Sequence, residues 1–305
     1  MVYGRLTTPP ASSTALHAKR PQLRLVVRAS KWLIAVILIA SYDHMTLTSA
    51  QNSVKRCDKP VYLTLDTGHM EVAPLMAQIL NKHQVKATFF VANEKTKDGG
   101  TSLDKNWGEF WAARGKEGHE FASHTYDHTY WKADLAEPSA AGLARFAVSP
   151  SAGPRTGQRL NWDSAQYCAN IDQARTAIEQ YTGKTALPLY RAPGGKTSPK
   201  LLAAAKSCGY AHVGWADAGF LGDELSSEAF PNEVLLKKAL KNIQSGDILM
   251  AHLGIWSRKD PWAPAVLEPL IVGLKARGLC FATLREHPAY AAWIAQQTAA
   301  SKPKS

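Results

Sequence analysis

Two histidines four residues apart, in Ser123-His124-Thr125-Tyr126-Asp127-His128, are the first residues of this chain whose types and spacing suggest chemistry. On one turn of helix such a pair shares a face with Cβ atoms about 5–6 Å apart, so both rings could hold one Zn²⁺ at about 2.0–2.1 Å. A cation held there supplies a strong nucleophile from water and stabilises an oxyanion, which makes hydrolysis the reaction to consider. Asp66, Arg191, Asp217 and His252 are the further residues able to move a proton or orient a carboxylate.

What must position them is a repeating pattern. Seven short apolar runs, at 60–65, 87–91, 120–122, 187–190, 211–215, 247–251 and 279–283, read as buried parallel strands. Between them lie segments with apolar residues at three- and four-residue steps, at 71–83, 163–181, 199–207, 231–244 and 264–277, which read as helices. This alternation predicts an α/β fold with a parallel sheet, open or closed into a barrel. Asp66 directly follows the first run, His124 and His128 the third, Arg191 the fourth, Asp217 the fifth and His252 the sixth. All therefore fall at the carboxyl ends of strands, the edge where parallel barrels assemble active sites. Residues 99–100 and 138–157, rich in Gly, Pro, Ser and Ala, read as loops, and one domain from 57 to 297 is the simplest division.

The 305 residues are 45% hydrophobic and 20% charged, enough to bury a core. The net charge is +11, but six basic side chains and one acidic in residues 1–50 account for five of these charges, so about +6 remains elsewhere. No Lys/Arg block of nucleic-acid type follows, which argues against a nucleic-acid partner. The apolar run Trp32–Ala40 behind Arg24, Arg28 and Lys31, with Thr48-Ser49-Ala50 after it, reads as a signal peptide within a leader at 1–50. The run is shorter than the roughly 20 apolar residues of a bilayer span, so the expectation is a secreted or periplasmic protein without a stable membrane segment once the signal is removed. Export permits disulfides, and Cys57, Cys168, Cys208 and Cys280 allow three full pairings; none has CxxC spacing.

The set TLDTG (64–68), SHTYDH (123–128), RAPGG (191–195) and ILMAH (248–252), in that order, resembles the polysaccharide deacetylase family with the NodB homology domain, also called carbohydrate esterase family 4. The resemblance implies a NodB-like distorted (β/α) barrel. It also implies metal-dependent removal of N-acetyl, sometimes O-acetyl, groups from an acetylated glycan such as peptidoglycan or a chitin-like oligomer. In that reading His124 and His128 hold Zn²⁺ or another divalent metal and Asp66 is the general base. Arg191 orients Asp66 through a charge-assisted pair, and His252 is the general acid. Asp217 is expected to hold the tautomer of His252, although the family pattern Asp-x-x-Asp-Trp is not found here. Leu249, Trp215, Trp131 and Tyr126 are candidates to line an acetyl pocket or sugar platform.

The first motif departs further from the family, which carries two consecutive aspartates, the second a metal ligand; here Thr67 follows Asp66. The third ligand is then Asp66 itself, a water, or His69. The leading expectation is an exported metal-dependent N-deacetylase acting on cell-wall or related polysaccharide. The alternatives are an acetyl-xylan-type O-deacetylase and a glycan-binding pseudoenzyme with a degraded metal site. Because Cys57 precedes the first strand and Cys280 lies in the last, and a closed barrel makes those strands neighbours, Cys57–Cys280 and Cys168–Cys208 are the expected disulfides.

Overall fold

All seven apolar runs become strands of one parallel sheet in the computed structural model, which describes residues 57–300. The leader and its signal peptide lie outside the described residues. In chain order the elements are β1 (Pro60–Asp66), α1 (Ala73–Lys82), β2 (Thr88–Val91), α2 (Gly108–Lys116), β3 (Glu120–Ser123), β4 (Thr129–Leu135), β5 (Arg145–Pro150), β6 (Leu160–Asp163) and α3 (Ser164–Thr182). Then come β7 (Leu189–Tyr190), α4 (Pro199–Ser207), β8 (Ala211–His212), α5 (Asn232–Asn242), β9 (Ile248–His252), α6 (Trp262–Ala265), α7 (Leu267–Ala276), β10 (Cys280–Phe281) and α8 (Pro288–Ala300).

The sheet runs β10-β1-β2-β3-β7-β8, with β9 on the other side of β1. Beyond β8 the chain returns to the free edge of β9: Ala216 N donates to Ile248 O, Leu221 N donates to Met250 O, and Phe220 bridges Met250 in parallel. A curled parallel sheet completed by irregular chain is the distorted (β/α) barrel that the resemblance implies. Its central strands are largely apolar because helices cover the outer face while side chains fill the inside; every residue of β2 is buried, as is β1 beyond Pro60.

Helix boundaries follow local chemistry. Asp163 and Gln166 form a reciprocal capping box at the start of α3, and Gly183 ends it in the left-handed conformation. Ser198 caps α4 by accepting from Leu201 N, with Pro199 in the first turn. Among the described residues no helix is long and apolar enough to cross a membrane.

One expectation needs correction. The stretch 138–157 is not all loop, since β5 lies within it and pairs antiparallel with both β4 and β6 in a separate three-stranded sheet. Phe146 and Val148 alternate inward on β5 and, with Trp162, pack on Tyr167 and Ile171 of α3. The alternation was obscured by the surrounding Pro, Ser and Gly.

Both disulfides have the expected pairing. Cys57–Cys280 closes over a Cα separation of 5.7 Å where Pro60 pairs with Cys280, and Cys168–Cys208 links α3 to the end of α4 across 6.2 Å.

Candidate active site

Strand register brings the chemistry to one level. Asp66 pairs with His252 on one side and with Phe90 on the other, and Ser123, just before His124, pairs with both Val91 and Tyr190, just before Arg191. Asp66 is 2% exposed; its Oδ1 accepts from Arg191 Nη1 at 2.6 Å, and its Oδ2 lies 3.6 Å from His124 Nε2.

Arg191 has no exposed surface at all. Its Nε donates to Val213 O and its Nη2 to Thr64 Oγ1 and Gly214 O, and the guanidinium lies 4.2 Å over the Phe90 ring. Burial pulls its pKa below the ordinary arginine value while Asp66 opposes that shift; arginine stays charged. The charge is thus tolerable inside the barrel because a carboxylate and three oxygens receive it.

His124 and His128 do not share a helical turn. They sit on a turn after β3 in which Thr125 and His128 take φ of 60° and 45°, a left-handed conformation uncommon for residues other than glycine. Buried Asn170 of α3 holds the turn: its O accepts from Tyr126 N, its Oδ1 from Asp127 N, and its Nδ2 donates to Asp127 Oδ2. The rings still converge, with centroids 4.8 Å apart.

Their tautomers follow from their partners. His124 Nδ1–H donates to Arg191 O at 2.9 Å, leaving Nε2 with its lone pair. Ser151 Oγ–H is used on His128 O, so His128 Nδ1–H donates to Ser151 Oγ at 2.5 Å and again Nε2 is left. Burial, then the neighbouring His128, holds the His124 pKa well below the ordinary histidine value, so the ring is neutral, the form that binds metals.

His252 is engaged by Asp223. The carboxylate accepts from His252 N at 2.7 Å and from Nδ1 at 3.2 Å, and Glu224 Oε2 lies 4.0 Å from Nε2. Burial works against the imidazolium, but Asp223 outweighs it with help from Asp66 and Glu224, and the pKa is pushed up to about 9. Asp217, expected in this role, is exposed in a short 3₁₀ turn, six positions away in the irregular segment after β8.

Asp66, His124, His128 and His252 border one cleft of about 400 Å³, lined also by Glu94, Lys95, Tyr130, Trp215, Glu224 and Trp256. Of the four aromatic and aliphatic candidates only Trp215 lines it. Leu249 is fully buried in the barrel, Tyr126 packs against that core, and Trp131 packs on the second core while its Nε1 donates to Asp134. Tyr130 and the 61%-exposed Trp256 supply the rings instead. The turn Gly194-Gly195 fits between rings: a Cβ on either would meet Tyr130 at 2.9 Å or Trp215 at 2.7 Å, and both glycines have φ of 67°.

Thr67 Oγ1 donates to Glu94 Oε2 at 2.7 Å and accepts from Ala92 N at 3.0 Å. His69 lines a neighbouring hollow behind His252, and its Nδ1 accepts from Glu71 N, so its Nε2 carries the proton. Among the described residues no three His, Cys, Asp or Glu side chains stand as a ready-made metal cage. Two imidazoles whose Nδ1 atoms are engaged by protein oxygens, with carboxylates in the same cleft, nevertheless match the donor chemistry of a divalent metal. Asp223 and Glu94 were missed in the sequence; Glu94, three residues past β2, lies beyond a strand end just as the residues singled out do.

The polysaccharide deacetylase family profile matches residues 53–213, more than half of the chain. The chitooligosaccharide deacetylase of Azorhizobium caulinodans is 25% identical over 73% of this chain and 92% of its own length. The peptidoglycan-N-acetylglucosamine deacetylase of Bacillus cereus is 24% identical over 75% and 88%. A family 4 acetyl xylan esterase from Clostridium thermocellum, solved with a cobalt ion, superposes with a TM-score of 0.55 at 21% identity, covering 77% of this chain and 91% of that one. With the profile match spanning most of the barrel, the chain belongs to the polysaccharide deacetylase family.

Proposed function

We propose that this protein is an exported, metal-dependent deacetylase that removes N-acetyl groups from a cell-wall or related polysaccharide. One observation carries the reading: a buried carboxylate paired to an arginine and an imidazole paired to a carboxylate share one cleft with the imidazoles of His124 and His128. His124 and His128 would hold a divalent cation such as Zn²⁺ through Nε2. When bound, such a cation supplies Lewis acidity toward the acetyl carbonyl and lowers the pKa of the attacking water.

Asp66 accepts the proton of that water. Its Oδ1 is committed to Arg191, so Oδ2, on the His124 side, is the basic atom and its direction is set in advance. His252, protonated below about pH 9, delivers the proton from Nε2 to the departing amine, while Asp223 holds Nδ1–H and so fixes the ring. Trp215, Tyr130 and Trp256 offer flat apolar faces to a sugar. Export is supported by the 1–50 leader and by the two disulfides, which persist in oxidising compartments.

The test is metal content of the purified protein together with acetate release from N-acetylated chitooligosaccharides, peptidoglycan and acetylated xylan. The expected result is release from an N-acetylated glycan, abolished by chelation and restored by Zn²⁺. Release from xylan alone would make it an O-deacetylase, and glycan binding without release from any of the three would make it a binding protein.

A further inference from the structure

Of the carboxylates that line the cleft, Asp66 and Glu224 each lie within 4.0 Å of a cationic or protonatable nitrogen, and Glu94 does not. Asp66 is paired with Arg191, and Asp223 and Glu224 flank His252. Glu94 is half-buried at the same cleft and, among the described residues, makes no ion pair. Its hydrogen bond from Thr67 engages Oε2 alone. Lys95 lines the cleft as well but, among the described residues, makes no ion pair with Glu94, and a partly dehydrated carboxylate without a close cation is costly.

The backbone around Glu94 is fixed. Glu94 N donates to Ser102 Oγ and Ser102 N donates to Glu94 O, so the side chain is placed from an anchored base. Its charge reaches His124, where it favours the protonated ring, and it also reaches Tyr130 on the far wall. Two Nε2 atoms and one anionic oxygen are the set with which a borderline divalent cation is commonly held, leaving a further position for water or substrate.

We propose that Glu94 is the third protein donor of the divalent-cation site, standing in from the end of β2 for a carboxylate at position 67, with Thr67 as the hydrogen-bond partner that aims it. The proposal rests on the metal-dependent reading above. It explains why a threonine is compatible with the site: its hydroxyl is a poor ligand but a good second partner for a ligand carboxylate, and such outer partners are worth about 10–100-fold in metal affinity. It also makes Asp66, already committed to Arg191, unnecessary as a ligand.

The experiment strips the full-length protein with chelator and titrates Zn²⁺ against a chromophoric competitor, with the visible spectrum of Co²⁺ as a second probe. Glu94→Gln should weaken Zn²⁺ binding by at least about tenfold and change the Co²⁺ spectrum, with the thermal unfolding of the metal-free protein unchanged. The double variant Glu94→Gln with Thr67→Asp should regain most of the lost affinity, since it returns one carboxylate to the opposite partner of the same pair. Parent-like affinity in Glu94→Gln, or failure of the double variant to recover, overturns the proposal while leaving the deacetylase reading standing. A parent that binds no metal overturns both. A parent that binds metal through Glu94 yet releases no acetate from any glycan upholds the ligand and overturns the proposed activity.

Discussion

The two halves of the cleft are built differently. On the proton-transfer side, Asp66 and His252 end adjacent strands in register, Arg191 follows a third, and each charged group meets an opposite charge or a fixed oxygen. On the side facing the two imidazoles, His124 and His128 ride on a left-handed turn clamped by Asn170, and Glu94 follows β2 on a loop tied by Ser102. Strand-borne groups cannot shift without moving the sheet, whereas loop-borne donors can be exchanged between positions while the barrel stays intact.

This contrast can be broken by substitution. His252→Ala should cut acetate release by about 10²–10⁴-fold while bound metal stays at the parent level, because the role proposed for the ring is to deliver a proton and not to hold the cation; equal loss of both would place it among the ligands. Arg191→Met should destabilise the protein by about 3–5 kcal/mol in urea unfolding, since it leaves Asp66 buried without its cation; a parent-like midpoint would mean that the pair is not held as tightly as its geometry says.

Asp223→Asn sharpens the same point through pH. The His252 pKa of about 9 lies above the free value, so the acid form persists through neutrality and is lost as pH rises through 9. The accompanying stability is present below about pH 6.5 and is lost between 6.5 and 9. Removing the Asp223 charge should move the alkaline limb of the rate profile from near 9 toward lower pH; an unmoved limb would assign it to another group. Smallest is Thr67→Ser, which keeps the hydroxyl and should leave Zn²⁺ affinity within about threefold of the parent, well inside the loss expected when an outer partner is removed.

Strands buried on both faces announced themselves as apolar runs, and that made the barrel and its active edge legible. The antiparallel sheet was not, because β4 is half solvent-facing and β5 lies among Pro, Ser and Gly. The histidine pair was found by a spacing suited to a helix, although a turn brings the rings together, so identity and spacing located the site while the local conformation differed. Asp223 and Asp217 are equally plausible by type and lie in a segment without periodicity; only the path of the chain back along β9 selects between them. Glu94 was overlooked because the alternatives weighed for the third ligand were Asp66, a water and His69, while Glu94 meets Thr67 from the loop after β2.

The place of β1 in the sheet has a consequence for how the chain folds. Translated early, it has as partners β9 on one flank and β2 with β10 on the other; Thr64 meets Leu249 across 185 residues, and Cys57 meets Cys280 across 223. Closing such long loops costs little more free energy than closing shorter ones, because the entropy grows only logarithmically with length. The cost is in time: β1 keeps an open edge until nearly the whole domain has been translated, so the barrel cannot be completed from its amino end, and oxidation of Cys57 with Cys280 must wait for that closure.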